Sequence, residues 1–101
     1  MTVREIREDL KEIRRYYEKE PLFRLYEKQV VPTAVLRKVE RYNRAAGNAP
    51  ALLYLTYALL YIEGMTQAAL ADEWGYTPDY IKQINNRLCA FLQEDLARGD
   101  R

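Results

Sequence analysis

Apolar residues recur at helical spacing through most of the chain, and no long segment alternates as a strand would. In residues 3–20 they return at intervals of three and four, at Val3, Ile6, Leu10, Ile13 and Tyr17. This narrow seam between charged residues predicts an amphipathic helix. We interpret it as a face docked on its own domain. A dimer or partner seam is the alternative, although two and a half heptads make a weak coiled coil alone.

Prolines and glycines divide the following sequence into further helical segments. Pro21 suits the first position of a second helix, LFRLYEKQV, which Pro32 would stop. Thr33 can cap a third helix that ends at Gly47. The pattern therefore predicts three helices before residue 48, joined by short connections.

The segment ALLYLTYALLYIE, residues 51–63, is apolar on nearly every face. A helix of this kind packs on several sides, so we expect it to form the centre of the fold. Most of the nine tyrosines lie on this helix or near the apolar faces of the others. Stacking on nucleic-acid bases is one interpretation of these rings, but packing in and around the core is favoured. They are Tyr16, Tyr17, Tyr26, Tyr42, Tyr54, Tyr57 and Tyr61.

Residues 66–84, TQAALADEWGYTPDYIKQI, have the proportions of two helices joined by a tight turn. Thr66 is a good N-cap for a short helix over residues 67–74, and Gly75 supplies a left-handed turn at no steric cost. The residues expected to face inward from the short helix are Leu70, Ala71 and Trp74. This arrangement predicts a C-terminal helix-turn-helix.

The second helix of the pair has a favourable first turn. Tyr76 is expected to pack inward, Thr77 to cap, and Pro78 to take the first helical position, where its missing N–H is no loss. Asp79 then lies at the positive end of the helix dipole. Apolar residues fall on one arc of this helix, at Ile81, Ile84, Leu88, Phe91 and Leu92, and the opposite arc holds Asp79, Lys82, Gln83, Asn86 and Ala90.

The composition is that of one globular domain. The 101 residues are 49% hydrophobic and 31% charged. The longest apolar stretch, residues 49–62, is shorter than the roughly 20 residues that cross a bilayer. The charged N-terminus does not resemble a signal peptide. We therefore expect a cytoplasmic protein without a membrane segment, and the single Cys89 excludes an internal disulfide.

The residue types that are missing argue against catalysis. The sequence has no His and no Ser, which removes the commonest proton shuttle, metal ligand and nucleophile. Its four glycines are isolated, so no phosphate-binding loop is visible. Cys89 is interpreted as a packing residue because it lies on the helix that carries Ile84 and Leu88. We expect no enzyme activity, no metal, no cofactor and no small-molecule substrate.

Charge is distributed unevenly along the chain. Residues 1–44 carry twelve basic and eight acidic side chains, and residues 45–101 carry four basic and seven acidic ones. The predicted helix-turn-helix therefore lies in the acidic part, although phosphate neutralisation supplies most non-specific DNA affinity. We expect the basic N-terminal part, or a second copy of the chain, to supply the affinity that residues 77–90 lack.

Residues 61–88, YIEGMTQAALADEWGYTPDYIKQINNRL, resemble region 4 of bacterial sigma-70-type factors. The shared pattern is an aromatic lead ending in Glu-Gly, a Thr cap, an Ala, a Gly and a second helix that contacts the promoter's upstream hexamer. The chain as a whole is similar to small sigma-region-4-like regulators of phages and mobile elements, which place helical sequence before such a module. The resemblance covers about a quarter of the chain closely.

The resemblance implies DNA contacts at Pro78, Asp79, Tyr80, Lys82 and Gln83, and helix packing at Leu70, Ala71, Ile81 and Ile84. Pro78, Tyr80 and Leu60 depart from the family, which tends to have basic side chains there. Together with the cap and the exposed arc, the predicted DNA-binding residues are Thr77, Pro78, Asp79, Tyr80, Lys82, Gln83 and Asn86.

Two functional hypotheses follow for an all-α domain of about five helices. The first is a sequence-specific DNA-binding transcription regulator, with double-stranded DNA as its partner. The second is a protein-interaction module that keeps the helix-turn-helix as a scaffold and binds RNA polymerase or another regulator through the seam of residues 3–20 or the acidic surface. In both, residues 1–48 form an N-terminal segment for packing or homodimerisation through residues 3–20. Residues 49–98 form the helix-turn-helix module, within one continuous domain.

Overall fold

Five helices make up the described part of the chain. The structure, a computed structural model, describes residues 1–25 and 33–99, apart from the side chains of residues 22–25. Its helices are α1 Val3–Leu25, α2 Thr33–Gly47, α3 Ala51–Tyr57, α4 Gln67–Trp74 and α5 Pro78–Gly99. A π-helical segment, Ala58–Ile62, continues α3 directly. The predicted all-α fold class with about five helices is confirmed for these residues.

The apolar seam of α1 is buried within its own domain. Ile6, Leu10 and Ile13 are at most 1% exposed, and α1 packs against α2, the π-helical segment and α5. Burying each such side chain stabilises the fold by roughly 1.5–3 kcal/mol. The apolar seam of residues 3–20 therefore docks on its own domain. Ile6, Leu10 and Ile13 have no surface left for contact with a second copy.

The helix boundary predicted at Pro21 is wrong. The first helix runs without interruption from Val3 to Leu25, with Pro21 inside it. Proline removes one backbone donor from a helix, but its fixed φ is compatible with helical geometry, so a break is favoured and not compelled. The remainder of the predicted segment LFRLYEKQV beyond residue 25, including Tyr26, and the stop at Pro32 lie outside the described residues.

The helix α3 and its π-helical continuation occupy the centre of the fold, as predicted. The former packs on α2 and α5, and the latter on α1 and α4. Leu53, Tyr57 and Leu60 are buried in the core. Thr56 is also fully buried, and its hydroxyl donates to the carbonyl oxygen of Leu52 at 2.8 Å, so the core contains no unpaired hydroxyl there.

The outer face of α3 differs from the prediction. Leu52, Tyr54 and Leu55 are 36%, 43% and 49% exposed, although the segment was expected to be covered on nearly every side. Hydropathy indicates which side chains favour burial, but it does not state how many neighbouring elements are present to cover them. Within the described residues, the central helix is thus packed on one broad side and open on the other.

The last two helices contribute most of the C-terminal core. The predicted inward positions Leu70, Ala71, Ile81, Ile84, Leu88 and Leu92 are all buried, and Trp74 and Phe91 are partly buried. Cys89 is fully buried among them, in agreement with a packing role. None of the helices in the described part of the chain is long and apolar enough to cross a membrane.

Candidate nucleic-acid interface

A defined turn joins α4 to α5. The Thr66 hydroxyl accepts a hydrogen bond from the Ala69 N–H at 3.0 Å, which caps the start of α4 as predicted. At its end Gly75 has φ 71° and ψ 29°, the left-handed conformation that favours glycine. The Tyr76 N–H donates to the Ala71 carbonyl at 2.8 Å, and the Gly75 N–H donates to the Asp72 carbonyl at 3.3 Å. This pair of bonds fixes where α5 begins.

The first turn of α5 is capped by Thr77. Its hydroxyl oxygen accepts from the Tyr80 N–H at 3.2 Å, while its own O–H remains available as a donor to a ligand. Pro78 is the first helical residue, and Asp79 is an acidic residue in the first turn. Both suit the start of a helix. These residues therefore serve the local fold, whatever else they contact.

An exposed aromatic cluster flanks this turn. Tyr76 is 48% exposed and Tyr80 is 39% exposed, and their rings meet edge to face with centroids 4.7 Å apart. Trp74 meets Tyr76 edge to face at 6.4 Å. The prediction that Tyr76 packs inward is wrong, because its contacts with Trp74 and Tyr80 leave nearly half of the side chain exposed. The ring packs on its neighbours at the surface instead.

All seven predicted DNA-binding residues lie on the surface of α5 or its cap. We call four of them, which share the outward arc of the helix, the exposed strip: Asp79, Lys82, Gln83 and Asn86. Within the described ranges, no hydrogen bond or ion pair holds the head group of Lys82 or Gln83. Tyr80 lies at one edge of the strip and Pro78 at the other. The strip combines a cation, an anion and two amides on a rigid helix.

One strip residue is already tied to another helix. The Asn86 side-chain oxygen accepts from Nη2 of Arg7 at 2.6 Å. Its amide nitrogen is left to donate to a ligand, while Arg7 brings a positive charge to the edge of the strip. This contact joins residues 79 positions apart, so no local sequence pattern could have predicted it.

A second cation was overlooked in the sequence. Arg87 is exposed on α5 and follows Gln83 by four residues, which places it on the adjoining part of the same face. The spacing alone could have identified it. Together Lys82 and Arg87 flank Gln83 with positive charge.

Contacts from α1 and the π-helical segment fix the position of α4 and α5. Nη2 of Arg14 donates to the Gly64 carbonyl at 2.8 Å, just before the α4 cap. The Tyr61 hydroxyl donates to the side-chain oxygen of Asn85, a residue only 6% exposed, at 2.6 Å. Burial raises the pKa of Tyr61 to about 12, so the hydroxyl remains a donor well into the alkaline range. The exposed strip is therefore presented on a fixed support.

The other polar clusters have structural roles. Nζ of Lys38 lies 2.8 Å from Glu12 and 3.1 Å from Asp9, and the Tyr42 hydroxyl donates to Asp9 at 2.6 Å. These bonds tie α2 to α1; the hydrogen bond to Glu12 raises the pKa of Lys38, and burial raises that of Tyr42. Burial also raises the pKa of the Cys89 thiol, which disfavours the reactive thiolate. Across residues 1–25 and 33–99, no three metal-ligating side chains gather.

Comparisons of the chain with protein-family models, with curated proteins and with solved structures find no match. A function for the chain is therefore inferred from the geometry of α4 and α5 and from the resemblance of residues 61–88 to sigma region 4. The helix-turn-helix assignment stays a prediction on that basis.

Proposed function

We propose that the protein is a sequence-specific DNA-binding transcription regulator in which α4, the Gly75 turn and α5 act as a helix-turn-helix. The observation that supports this best is the division of α5 into a fully buried face and an exposed strip. Lys82 and Gln83 project from that strip without partners in the described residues. Polar side chains that hold a fold are hydrogen-bonded within it, so Lys82 and Gln83 are not needed by the fold and are available to an external ligand.

The strip has the chemistry to contact base edges in a major groove. An amide such as Gln83 can make two hydrogen bonds with adenine, and a lysine such as Lys82 can donate to the acceptors of guanine. Each good bidentate pair is worth about 1–3 kcal/mol of discrimination. Asn86 retains its amide N–H groups for the same purpose, since only its oxygen is engaged by Arg7.

The residues around the strip would position the protein on the duplex and would not select the DNA sequence. The O–H of Thr77 and the hydroxyl of Tyr80 are exposed donors suited to phosphate oxygens, which receive most protein–DNA hydrogen bonds. Asp79 repels phosphates but can accept from the amino group of cytosine. Pro78 has no donor and contributes only the rigid start of the helix.

The proposal is tested by selecting bound fragments from genomic DNA at roughly 50 and 200 mM salt, with wild type and a Lys82→Ala, Gln83→Ala variant. We expect wild type to retain a defined set of fragments, and the variant to lose that preference while remaining folded. A control variant, Lys19→Ala, removes a cation of the same type from an exposed position on α1, away from the strip. It should retain the wild-type set.

Two outcomes would contradict the proposal. Wild-type protein that retains no fragment at the lower salt concentration has no DNA-binding function of this kind. Equal fragment sets from wild type and the Lys82, Gln83 variant would show that the exposed strip does not select sequence.

The alternative, a protein-interaction module for RNA polymerase or another regulator, is favoured by a different observation. Its contact was expected on residues 3–20, whose apolar seam is buried, or on the acidic surface. The exposed apolar side chains of α3, Leu52, Tyr54 and Leu55, provide a surface instead. A Leu55→Glu variant that keeps the wild-type fragment set but loses transcriptional effect in a reconstituted assay would support this second role.

A further inference from the structure

A row of four cations lies along one side of α1. Arg4, Arg7, Lys11 and Arg14 are separated by intervals of three and four, so they share a face of the helix. We call them the basic row. This face is distinct from the buried face of Ile6, Leu10 and Ile13, so α1 carries its basic and its apolar residues on two separate faces.

The basic row lines a cleft between α1 and the α4–α5 pair. The cleft has a volume of about 340 Å³, and its other lining residues are Glu8, Tyr61, Gln67 and Asn85. Gln67 is the first residue of α4, so the positive end of that helix dipole borders the cleft. Among the described residues that line the cleft, four are cations and one, Glu8, is acidic.

The row is anchored at two points next to the proposed DNA-binding surface. At one, Arg7 donates to Asn86 of the exposed strip at 2.6 Å, and at the other Arg14 donates to Gly64 before the α4 cap at 2.8 Å. The remaining two cations are less constrained. Within the part of the chain that the structure describes, the Lys11 ammonium has only a long ion pair with Glu8, at 3.7 Å, in which both side chains are more than 60% exposed. Arg4 is exposed.

We infer that this cleft is a second DNA contact, in which the basic row binds the phosphate backbone beside the groove that α5 enters. The inference rests on the proposed function and adds to it a source of affinity outside the helix pair. Phosphate contacts position a protein on a duplex without reading its sequence. Helix N-termini and arginine side chains are common providers of such contacts.

The basic row accounts for a weakness of the exposed strip. The C-terminal part of the chain is net acidic, and the positions of Pro78 and Tyr80 lack the basic side chains that the sigma-like pattern implies. Arg4, Arg7, Lys11 and Arg14 come from the basic N-terminal part and are brought to α4 and α5 by the packing of α1. A single chain thereby places positive charge beside the strip, without a second copy.

The test uses two cations whose loss leaves the anchoring bonds in place. In an Arg4→Gln, Lys11→Gln variant, Arg7 and Arg14 keep their bonds to Asn86 and Gly64. The control variant, Lys19→Gln with Arg37→Gln, removes the same charge from exposed positions outside the cleft. Affinities for a random-sequence duplex and for a selected duplex are measured by fluorescence anisotropy over a series of salt concentrations.

We expect the Arg4, Lys11 variant to bind both duplexes more weakly, with a salt slope lower by about 1.8 because each lost phosphate contact removes about 0.9. The ratio of wild-type to variant affinity should then shrink about tenfold between roughly 50 and 200 mM salt. The control should bind both duplexes about as tightly as wild type, apart from a small loss caused by its less positive net charge. Urea unfolding of all three proteins checks that each is folded.

The outcomes distinguish this inference from the proposed function. If the Arg4, Lys11 variant matches the control while wild type binds a selected duplex, the basic row does not contact DNA and the inference is overturned. If wild type binds every duplex equally and the row variant loses that binding, the row is a DNA contact and the sequence-specific function is wrong. If wild type binds no duplex, both are overturned.

Discussion

Polar side chains occur in two regions of this molecule with opposite surroundings. Between α1, α2 and α3, the Tyr57 hydroxyl donates to the Asn43 oxygen at 2.6 Å, and the Asn43 amide donates to the Tyr17 hydroxyl at 2.8 Å. We call these three residues the interior network. On α5, Lys82 and Gln83 carry equally capable groups without a partner in the described residues.

This difference separates residues that stabilise the fold from residues available to a ligand. Among the described residues, no buried side-chain nitrogen or oxygen lacks a hydrogen bond, and the interior network pairs its polar groups within the fold. A side chain in that network should therefore affect stability when it is replaced. A side chain in the exposed strip should affect DNA binding and leave stability almost unchanged.

The largest predicted change in stability comes from a substitution on the buried face of α5, measured against substitutions on its exposed face. Ile84 is fully buried, and Ile84→Ala should lower the free energy of unfolding by about 2–5 kcal/mol because it leaves a cavity. The Lys82→Ala, Gln83→Ala variant should change it by no more than about 0.5 kcal/mol. Urea unfolding followed by circular dichroism measures both. Equal losses of unfolding free energy in the two variants would mean that the outward face of α5 also stabilises the fold.

The next largest change in the free energy of unfolding is expected from the interior network. In Asn43→Ala the hydroxyls of Tyr17 and Tyr57 lose their shared amide, and we expect a loss of about 1–3 kcal/mol in the free energy of unfolding. Asn86→Ala is the matched control on the exposed strip, where water replaces the bond to Arg7. Its expected loss is below about 1 kcal/mol.

A double-mutant cycle sharpens this contrast. Asn43→Ala combined with Tyr57→Phe should cost less than the sum of the two single changes, because they remove the same bond. Additive losses would contradict the interior network as a connected unit.

A smaller effect is expected at the turn that presents the exposed strip. Gly75 has φ 71°, and Gly75→Ala should cost about 1 kcal/mol because a Cβ is disfavoured in the left-handed region. Gly47 lies outside that region, and a Cβ added there would meet no atom within 4 Å, so Gly47→Ala should be neutral or slightly stabilising. Thermal unfolding compares the two. A neutral Gly75→Ala would contradict the turn geometry on which the placement of α5 depends.

Much of the fold was predictable because its determinants are local. Thr66 and Gly75 specify a cap and a turn within a few residues of themselves, and the periodic apolar positions of α5 identify its buried face. The exposed strip is the complement of that face, so its members followed from the same pattern. Their role in binding DNA stays a prediction.

The features that were missed depend on neighbours distant in sequence. Tyr54 and Leu55 are exposed because no element of the described residues covers the outer face of α3, which their own hydropathy does not indicate. The contact of Arg7 with Asn86 exists only because α1 packs along α5. Pro21 shows a third limit, since a residue that disfavours a helix interior was outweighed by the surrounding helix.

The smallest predicted effect is a fall in stability at high pH, caused by buried tyrosines that include Tyr57 of the interior network. Burial raises the pKa of Tyr42 and Tyr57 well above the usual 10, and that of Tyr61 to about 12. These tyrosines stay protonated in the folded state while the unfolded chain ionises near pH 10. Their contribution is therefore complete below pH 10 and is lost as pH rises toward the folded pKa values. Unfolding in urea at about pH 9, 10 and 11 should show falling stability.

Replacing one buried hydroxyl separates this effect from general alkaline repulsion. Tyr57→Phe removes one ionisable group, so the decline in unfolding free energy above pH 10 should become shallower by up to about 1 kcal/mol per pH unit. Wild type, which keeps the Tyr57 hydroxyl, is measured under the same conditions for comparison. Lys38 acts in the same direction, since its pKa is raised by the hydrogen bond to Glu12, but it is present in both proteins. Identical pH profiles for wild type and Tyr57→Phe would show that the fold does not keep the Tyr57 hydroxyl protonated above pH 10.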